Sequence, residues 1–262
     1  MTTSTKRLQK GFTLIELLTV IAIIGILAAI IIPTVGKVRD TAAKSVAASN
    51  LRQIGQAALI FASDNKDQLP KYTVVTTGAT FGTASATAVG ETVDGFAAAL
   101  AVGGGLNDAT IWVVSNDKNG TSTTGASTVY TPTGTSKAFT TGTPQFTDLS
   151  LAFGVVLGLT TSDSSTTPIA YTRGITAATA GTWSDTLGVY GSDGGHIVFL
   201  GGNVQYYRNL GTGATTGELI SSKGDKTSDI TATVKNTRAA VKFIEETVNG
   251  TSVTTKPASG GV

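Results

Sequence analysis

Residues 11–36 read GFTLIELLTVIAIIGILAAIIIPTVG, and the architecture of the chain is decided by this stretch. From Phe12 to Gly36 the one charge is Glu16, and twenty uncharged residues rich in Ile, Leu, Val and Ala separate it from Lys37. As a helix rising about 1.5 Å per residue they reach roughly 30 Å, the hydrocarbon thickness of a bilayer. One membrane crossing is implied. Lys6, Arg7 and Lys10 precede it, all positive, which places the short N-terminus in the cytoplasm and the bulk of the chain beyond the membrane. A secretory signal peptide would carry a shorter apolar core closed by a small-residue cleavage site, whereas this run leads to Pro33. A buried core helix is seldom apolar on every face for so long.

Glu16 is the informative residue, because a carboxylate inside a membrane run costs about 2–3 kcal/mol or more unless something compensates it. A cut between Gly11 and Phe12 would create an α-amino group, mostly protonated at neutral pH, able to pair with it. The order Gly11-Phe12-Thr13-Leu14-Ile15-Glu16-Leu17-Leu18 closely resembles the processing site of the type IV pilin and type II secretion pseudopilin superfamily. The resemblance implies that a prepilin peptidase cuts after Gly11 on the cytoplasmic side and methylates Phe12. It also implies that Glu16 of one subunit neutralises the N-terminal amine of its neighbour during assembly, and that Pro33 marks a kink or melted turn. It is strong over residues 8 to 70 and patchy beyond.

After Pro33, the positions Val35, Val38, Ala42, Val46, Leu51, Ile54, Ala58 and Phe61 recur at steps of three to five, with Lys37, Arg39, Asp40, Lys44, Arg52 and Gln56 between them. This is an amphipathic continuation of the same helix, ending near Ser63-Asp64-Asn65 and before Pro70, with a bend expected at Pro33 and Gly36. Its stripe should lie on a sheet. Beyond residue 71, Thr, Ser and Gly dominate around short β-prone runs: Tyr72 to Val75, Ile111 to Val114, Leu149 to Leu157, Ile169 to Arg173, and His196 to Leu200 followed by Asn203 to Tyr207. Gly201-Gly202 predicts a two-residue hairpin turn between the last two. Val93 to Ala101 and Thr237 to Val248 read as helices, and residues 119 to 147 as a long surface loop. The stretch Asp193 to Val204 resembles a C-terminal hairpin of pilin-like proteins of planctomycete and verrucomicrobial type, although Gly201-Gly202-Asn203 stands where that turn usually reads aspartate-glycine-histidine. Thr172-Arg173-Gly174 resembles the same branch.

The chain has 262 residues, no cysteine and one histidine, which removes disulfides, thiolate metal sites, cysteine nucleophiles and most imidazole chemistry. Its formal charge of +2 falls to −1 without the three leader cations, so no nucleic-acid partner is expected. Asp185, Asp193 and His196 are candidate ligands for a metal such as calcium, set against the plainer reading of His196 as a packed strand residue. Asn116-Asp117-Lys118-Asn119-Gly120 opens like a calcium loop, but Ala126 stands where a bidentate glutamate is needed, and a turn is the better reading. Tyr190 excludes a nucleophile elbow around Ser192, no spacing supports a triad with His196, and Glu245-Glu246 reads as a solvated face. Asn119 and Asn249 open weak glycosylation patterns.

These readings predict an α+β pilin fold: a long N-terminal helix, half membrane-spanning and half amphipathic, packed on a mainly antiparallel β-sheet domain. The expected divisions are a leader at 1–11, a membrane and filament-core helix at 12–36, its amphipathic half at 37–65 and a β-rich head at 66–262. The expected role is a structural subunit of a type IV pilus-like filament, with a pseudopilin of a secretion piston as alternative and a membrane-anchored enzyme or ligand-binding module as a remote one. Catalysis and resident cofactors are not expected. The expected partners are copies of the chain, other pilin-like subunits, the prepilin peptidase and a membrane assembly platform. The head should lie in the periplasm, and after assembly in a surface pilus or periplasmic pseudopilus.

Overall fold

The apolar run begins one helix, α1 (Leu14–Asp64), which continues through Pro33 into the amphipathic stretch. The computed structural model describes residues 13–70, 93–120, 127–129, 146, 149–175, 181–211, 216–235, 240–244 and 253–257. The chain divides into two compact units after Ala42. In the first, the large apolar side chains from Leu14 to Val38 all face outward, as a helix surrounded by lipid or by other helices requires. Pro33 has no N–H for the carbonyl of Ala29, yet α1 does not end there; the Thr34 hydroxyl donates to the carbonyls of Ile30 (2.7 Å) and Ile31 (2.8 Å).

In the second unit α1 buries Ala43, Ala47, Leu51, Ile54, Ala58 and Ala62, one stripe at helical spacing. The expected stripe holds at Leu51, Ile54 and Ala58, with Phe61 half-buried, but its first part is turned by one position: Ala43 and Ala47 face inward while Ala42 and Val46 face out. Small residues let the helix lie close. A Cβ on Gly55 would stand 2.9 Å from Val198 Cγ2 on the sheet beneath. Helix α2 (Val93–Gly103) ends as its glycines predict, with Gly105 at φ +71° and the Leu106 N–H closing on the Leu100 carbonyl at 3.0 Å.

The strands are β1 (Phe153–Leu157), β2 (Pro168–Thr172), β3 (Val189–Ser192), β4 (Gly195–Phe199), β5 (Val204–Tyr207), β6 (Leu219–Ile220), β7 (Lys226–Thr227), β8 (Ala240–Ile244) and β9 (Val253–Pro257). Six of them form one antiparallel sheet in the order β5-β4-β2-β1-β8-β9, and β6 pairs with β7. The core lies between this sheet, α1 and α2, with Trp112 edge-on to both Phe96 and Phe146 at 6.3 Å.

Three local expectations are corrected. Residues 240–244, within the expected helix Thr237 to Val248, form β8 between β1 and β9. Ile111 to Val114 is not a strand: Asp108 accepts the Thr110 N–H at 2.8 Å and caps a 3₁₀ turn over Ala109–Trp112. The β4–β5 connection holds four residues, Leu200 to Asn203, not two. The Gly202 N–H donates to the Phe199 carbonyl at 2.8 Å and Gly202 takes φ +82°, because Leu200 and Gly201 are tied to the carbonyls of Thr167 and Ser165. Tyr72 to Val75, most of the loop 119 to 147, and Glu245, Glu246 and Asn249 lie outside the described residues.

Candidate functional site

Gly11 and Phe12 also lie outside the described residues, which begin at the residue that opens α1. Thr13 and Glu16 form a reciprocal cap there. The Thr13 N–H (2.9 Å) and hydroxyl (2.8 Å) both donate to Glu16 Oε2, and the Glu16 N–H donates back to Thr13 Oγ1 at 3.3 Å. In the isolated chain the carboxylate therefore has local donors, and the helix N-terminus adds a favourable partial positive charge. Periodicity alone gives no sign of this cap; the Thr-x-x-Glu spacing does.

A second constellation joins α1 to the β4–β5 hairpin. Because side chains alternate along a strand, His196 shares the α1-facing side of β4 with Val198, and Tyr206 stands opposite it on β5. The imidazole is wedged edge-on between Tyr190 (5.9 Å between ring centres) and Tyr206 (5.0 Å), with Nδ1 3.4 Å from the Tyr190 hydroxyl. Over the same two tyrosines lies the ammonium of Lys44, 5.2 Å from the Tyr190 ring centre, 5.0 Å from that of Tyr206 and 3.3 Å from the Tyr206 hydroxyl. The Tyr206 hydroxyl in turn donates to the Asp193 carbonyl at 2.5 Å.

The candidate metal ligands diverge. His196 points at the tyrosine pair, Asp193 Oδ2 accepts from Lys118 Nζ at 3.1 Å, and Asp185 Oδ1 accepts from Ser192 Oγ at 3.5 Å. Among the described residues no group of three or more His, Asp and Glu is placed to hold an ion. The contact with Lys118 holds the Asp193 carboxyl below its ordinary range. Burial, with the charge of Lys44, pushes His196 from 6.5 down to about 4. The unfolded imidazole thus takes its proton first. Stability is whole above about pH 6.5 and drains as the pH falls toward about 4, by about 3 kcal/mol for a shift of this size. His196→Phe should keep the ring contacts and flatten that slope, as read by thermal unfolding midpoints of the two proteins across the window.

Asp117, in the segment read as a turn, meets Arg173, and sequence reasoning missed the pair. Arg173 Nη2 donates to both Asp117 oxygens at 2.7 Å, Nη1 to the Leu151 carbonyl at 2.7 Å and Nε to the Leu187 carbonyl at 2.7 Å. Both side chains are almost wholly buried, 1% and 2% exposed. Burial pushes the Asp117 carboxyl up, against the pull of the guanidinium. The arrangement is a structural clamp.

In comparisons with known proteins, residues 6–32 match the prokaryotic N-terminal methylation motif. Type II secretion system core protein G of Pseudomonas aeruginosa is 42% identical over 60 residues, a stretch covering 23% of this chain and 42% of that protein. The chain thus spans less than half the length of this curated relative. No solved structure matches significantly.

Proposed function

Because the chain belongs to the superfamily of type IV pilins and type II secretion pseudopilins, we propose that it is a structural subunit of a helical filament of the type IV pilus kind. A prepilin peptidase cuts after Gly11 and methylates Phe12, and the apolar half of α1 holds the subunit in the inner membrane before assembly and then lines the filament core. The observation that carries this reading is the fully outward-facing apolar helix directly behind Gly11-Phe12, with Glu16 as its one charge. The leader cations and cytoplasmic processing set the orientation together, since Lys37 and Arg39 flank the far end of the span. In the subunit waiting in the bilayer, Thr13 satisfies Glu16. In the filament a neighbour's terminal amine, which carries a full charge, replaces those neutral donors. Pro33 leaves a carbonyl free where α1 yields as subunits pack.

N-terminal mass analysis of the mature chain should find a methylated Phe12; a mature start at residues 40 to 50 overturns the anchor. Glu16→Ala should leave membrane insertion intact, since it removes a charge from the span, and should abolish or strongly reduce filaments. Fractionation and electron microscopy of the same cells read both halves, and normal filaments from the variant refute the pairing. A second reading, a periplasmic secretion pseudopilus, is favoured by the relative's name. Isolation of extracellular filaments and identification of their subunits separates the two.

A further inference from the structure

Strand β5 is one edge of the large sheet and pairs with β4 alone. The Phe199 N–H donates to the Asn203 carbonyl at 3.0 Å, and in an antiparallel ladder hydrogen-bonded pairs alternate with pairs that are not. Ile197 with Gln205 and Gly195 with Tyr207 are therefore hydrogen-bonded pairs, and the N–H and C=O groups of Val204 and Tyr206 point away from the sheet. The other side of β4 keeps the same alternation: the His196 N–H donates to Thr172 Oγ1 at 2.6 Å and the Leu200 N–H to the Thr167 carbonyl at 2.8 Å. Among the described residues no hydrogen bond reaches the outward groups of Val204 and Tyr206. Gln205 and Tyr206 are exposed, and Val204–Tyr207 carries no proline, lysine or bulge of the kind that blunts an edge.

We propose that the β5 edge pairs with β9 of a neighbouring copy, so that one sheet runs from head to head in the assembled filament; this rests on the filament reading above. Size selects a copy of the chain as the occupant. Stable interfaces take about 20–30 residues a side, and β5 offers four. A free peptide or protein is held too weakly there, whereas a neighbour already tethered through its own α1 meets the edge at high effective concentration. Symmetry selects the strand. Pairing β5 with β5 needs a two-fold axis and closes as a dimer, while a filament repeats head to tail and joins two different edges. The other edge of this sheet is β9. Direction agrees with both. Every neighbouring pair in the sheet is antiparallel, so across six strands β9 runs opposite to β5, and a copy displaced sideways without inversion continues the alternation. Pro257 has no N–H to offer, which leaves Val253 to Lys256 to match the four residues of β5.

The chain has no cysteine, so introduced pairs report without background. Gln205→Cys is combined in turn with Val253→Cys, Thr254→Cys, Thr255→Cys and Lys256→Cys in the full chain, and the assembled filaments are mildly oxidised before denaturing electrophoresis. At least one pair should give a ladder of covalent multimers, and Gln205→Cys alone should give none. Val204→Pro, added to the pair that crosslinks, should cut the ladder about tenfold, the effect of one lost hydrogen bond, because it removes an outward N–H and leaves the β4–β5 bonds in place. Val204→Ala trims the same side chain but keeps that N–H, and should keep the ladder, which separates pairing from packing. Filaments without a ladder from any pair, or a dimer from Gln205→Cys alone, overturn the proposal and leave the filament reading standing. An undiminished ladder in Val204→Pro does the same. Absence of filaments from the unaltered chain overturns both.

Discussion

Asp117→Ala should cost the head domain about 3–5 kcal/mol, enough to unfold a domain at the low end of ordinary stability. The reason is not the lost attraction but what remains. Arg173 is 1% exposed, cannot shed its proton, and keeps only the carbonyls of Leu151 and Leu187 as partners. Arg173→Met should be less severe, because the stranded carboxyl is already pushed upward by burial and can neutralise itself by taking a proton. The two variants therefore separate by pH. The Arg173→Met deficit should grow as the pH rises from acid to neutral, while the Asp117→Ala deficit should shrink, because the wild-type carboxyl, pushed up by burial, itself loses stability as it ionises and the variant has no carboxyl to titrate. Denaturant unfolding of both at acid and neutral pH decides it. Equal pH dependence would mean that the pair is not the clamp described.

The parts of this molecule legible from sequence are those whose physics is local. The membrane half of α1 is written in twenty adjacent residues, and the Gly11-to-Glu16 order is contiguous. The β4–β5 hairpin was readable because apolar runs flank Gly201-Gly202 directly, but the length of its turn was not, since Thr167 and Ser165, far back in the chain, hold Leu200 and Gly201. Val241 and Ile244 stand three apart, and a run that short fits a helix or a strand equally well; the edge of β1 settles it by pairing with β8. The same limit hid both polar constellations. Asp117 and Arg173 are 56 positions apart, and Lys44 and Tyr206 are 162 apart. The pieces were visible, but their meeting depends on the fold.

The amphipathic half of α1 is where the fold is most exposed to a single test. Removing residues 1–36 should leave a soluble, folded head, because the exposed apolar run from Leu14 to Val35 goes with them, while Ala43, Ala47, Leu51, Ile54, Ala58 and Ala62 are covered within the second unit, which begins at Ala43. Extending the deletion through residue 63 should collapse it. Leu51 and Ile54 are each 0% exposed, and losing a buried side chain of that size costs about 2–5 kcal/mol even when the backbone stays. Here the backbone leaves too, uncovering Val198 under Gly55 and the rest of the α1-facing sheet surface. The sum matches or exceeds the roughly 5–15 kcal/mol that holds a domain together. Leu51→Ala and Ile54→Ala in the longer fragment should each lower the thermal midpoint, whereas Val46→Ala should not, since Val46 is 56% exposed. Equal melting of the long and short fragments would make this half of the helix a free stalk. A loss at Val46 as large as at Leu51 would instead return the buried face to the register that periodicity alone predicts.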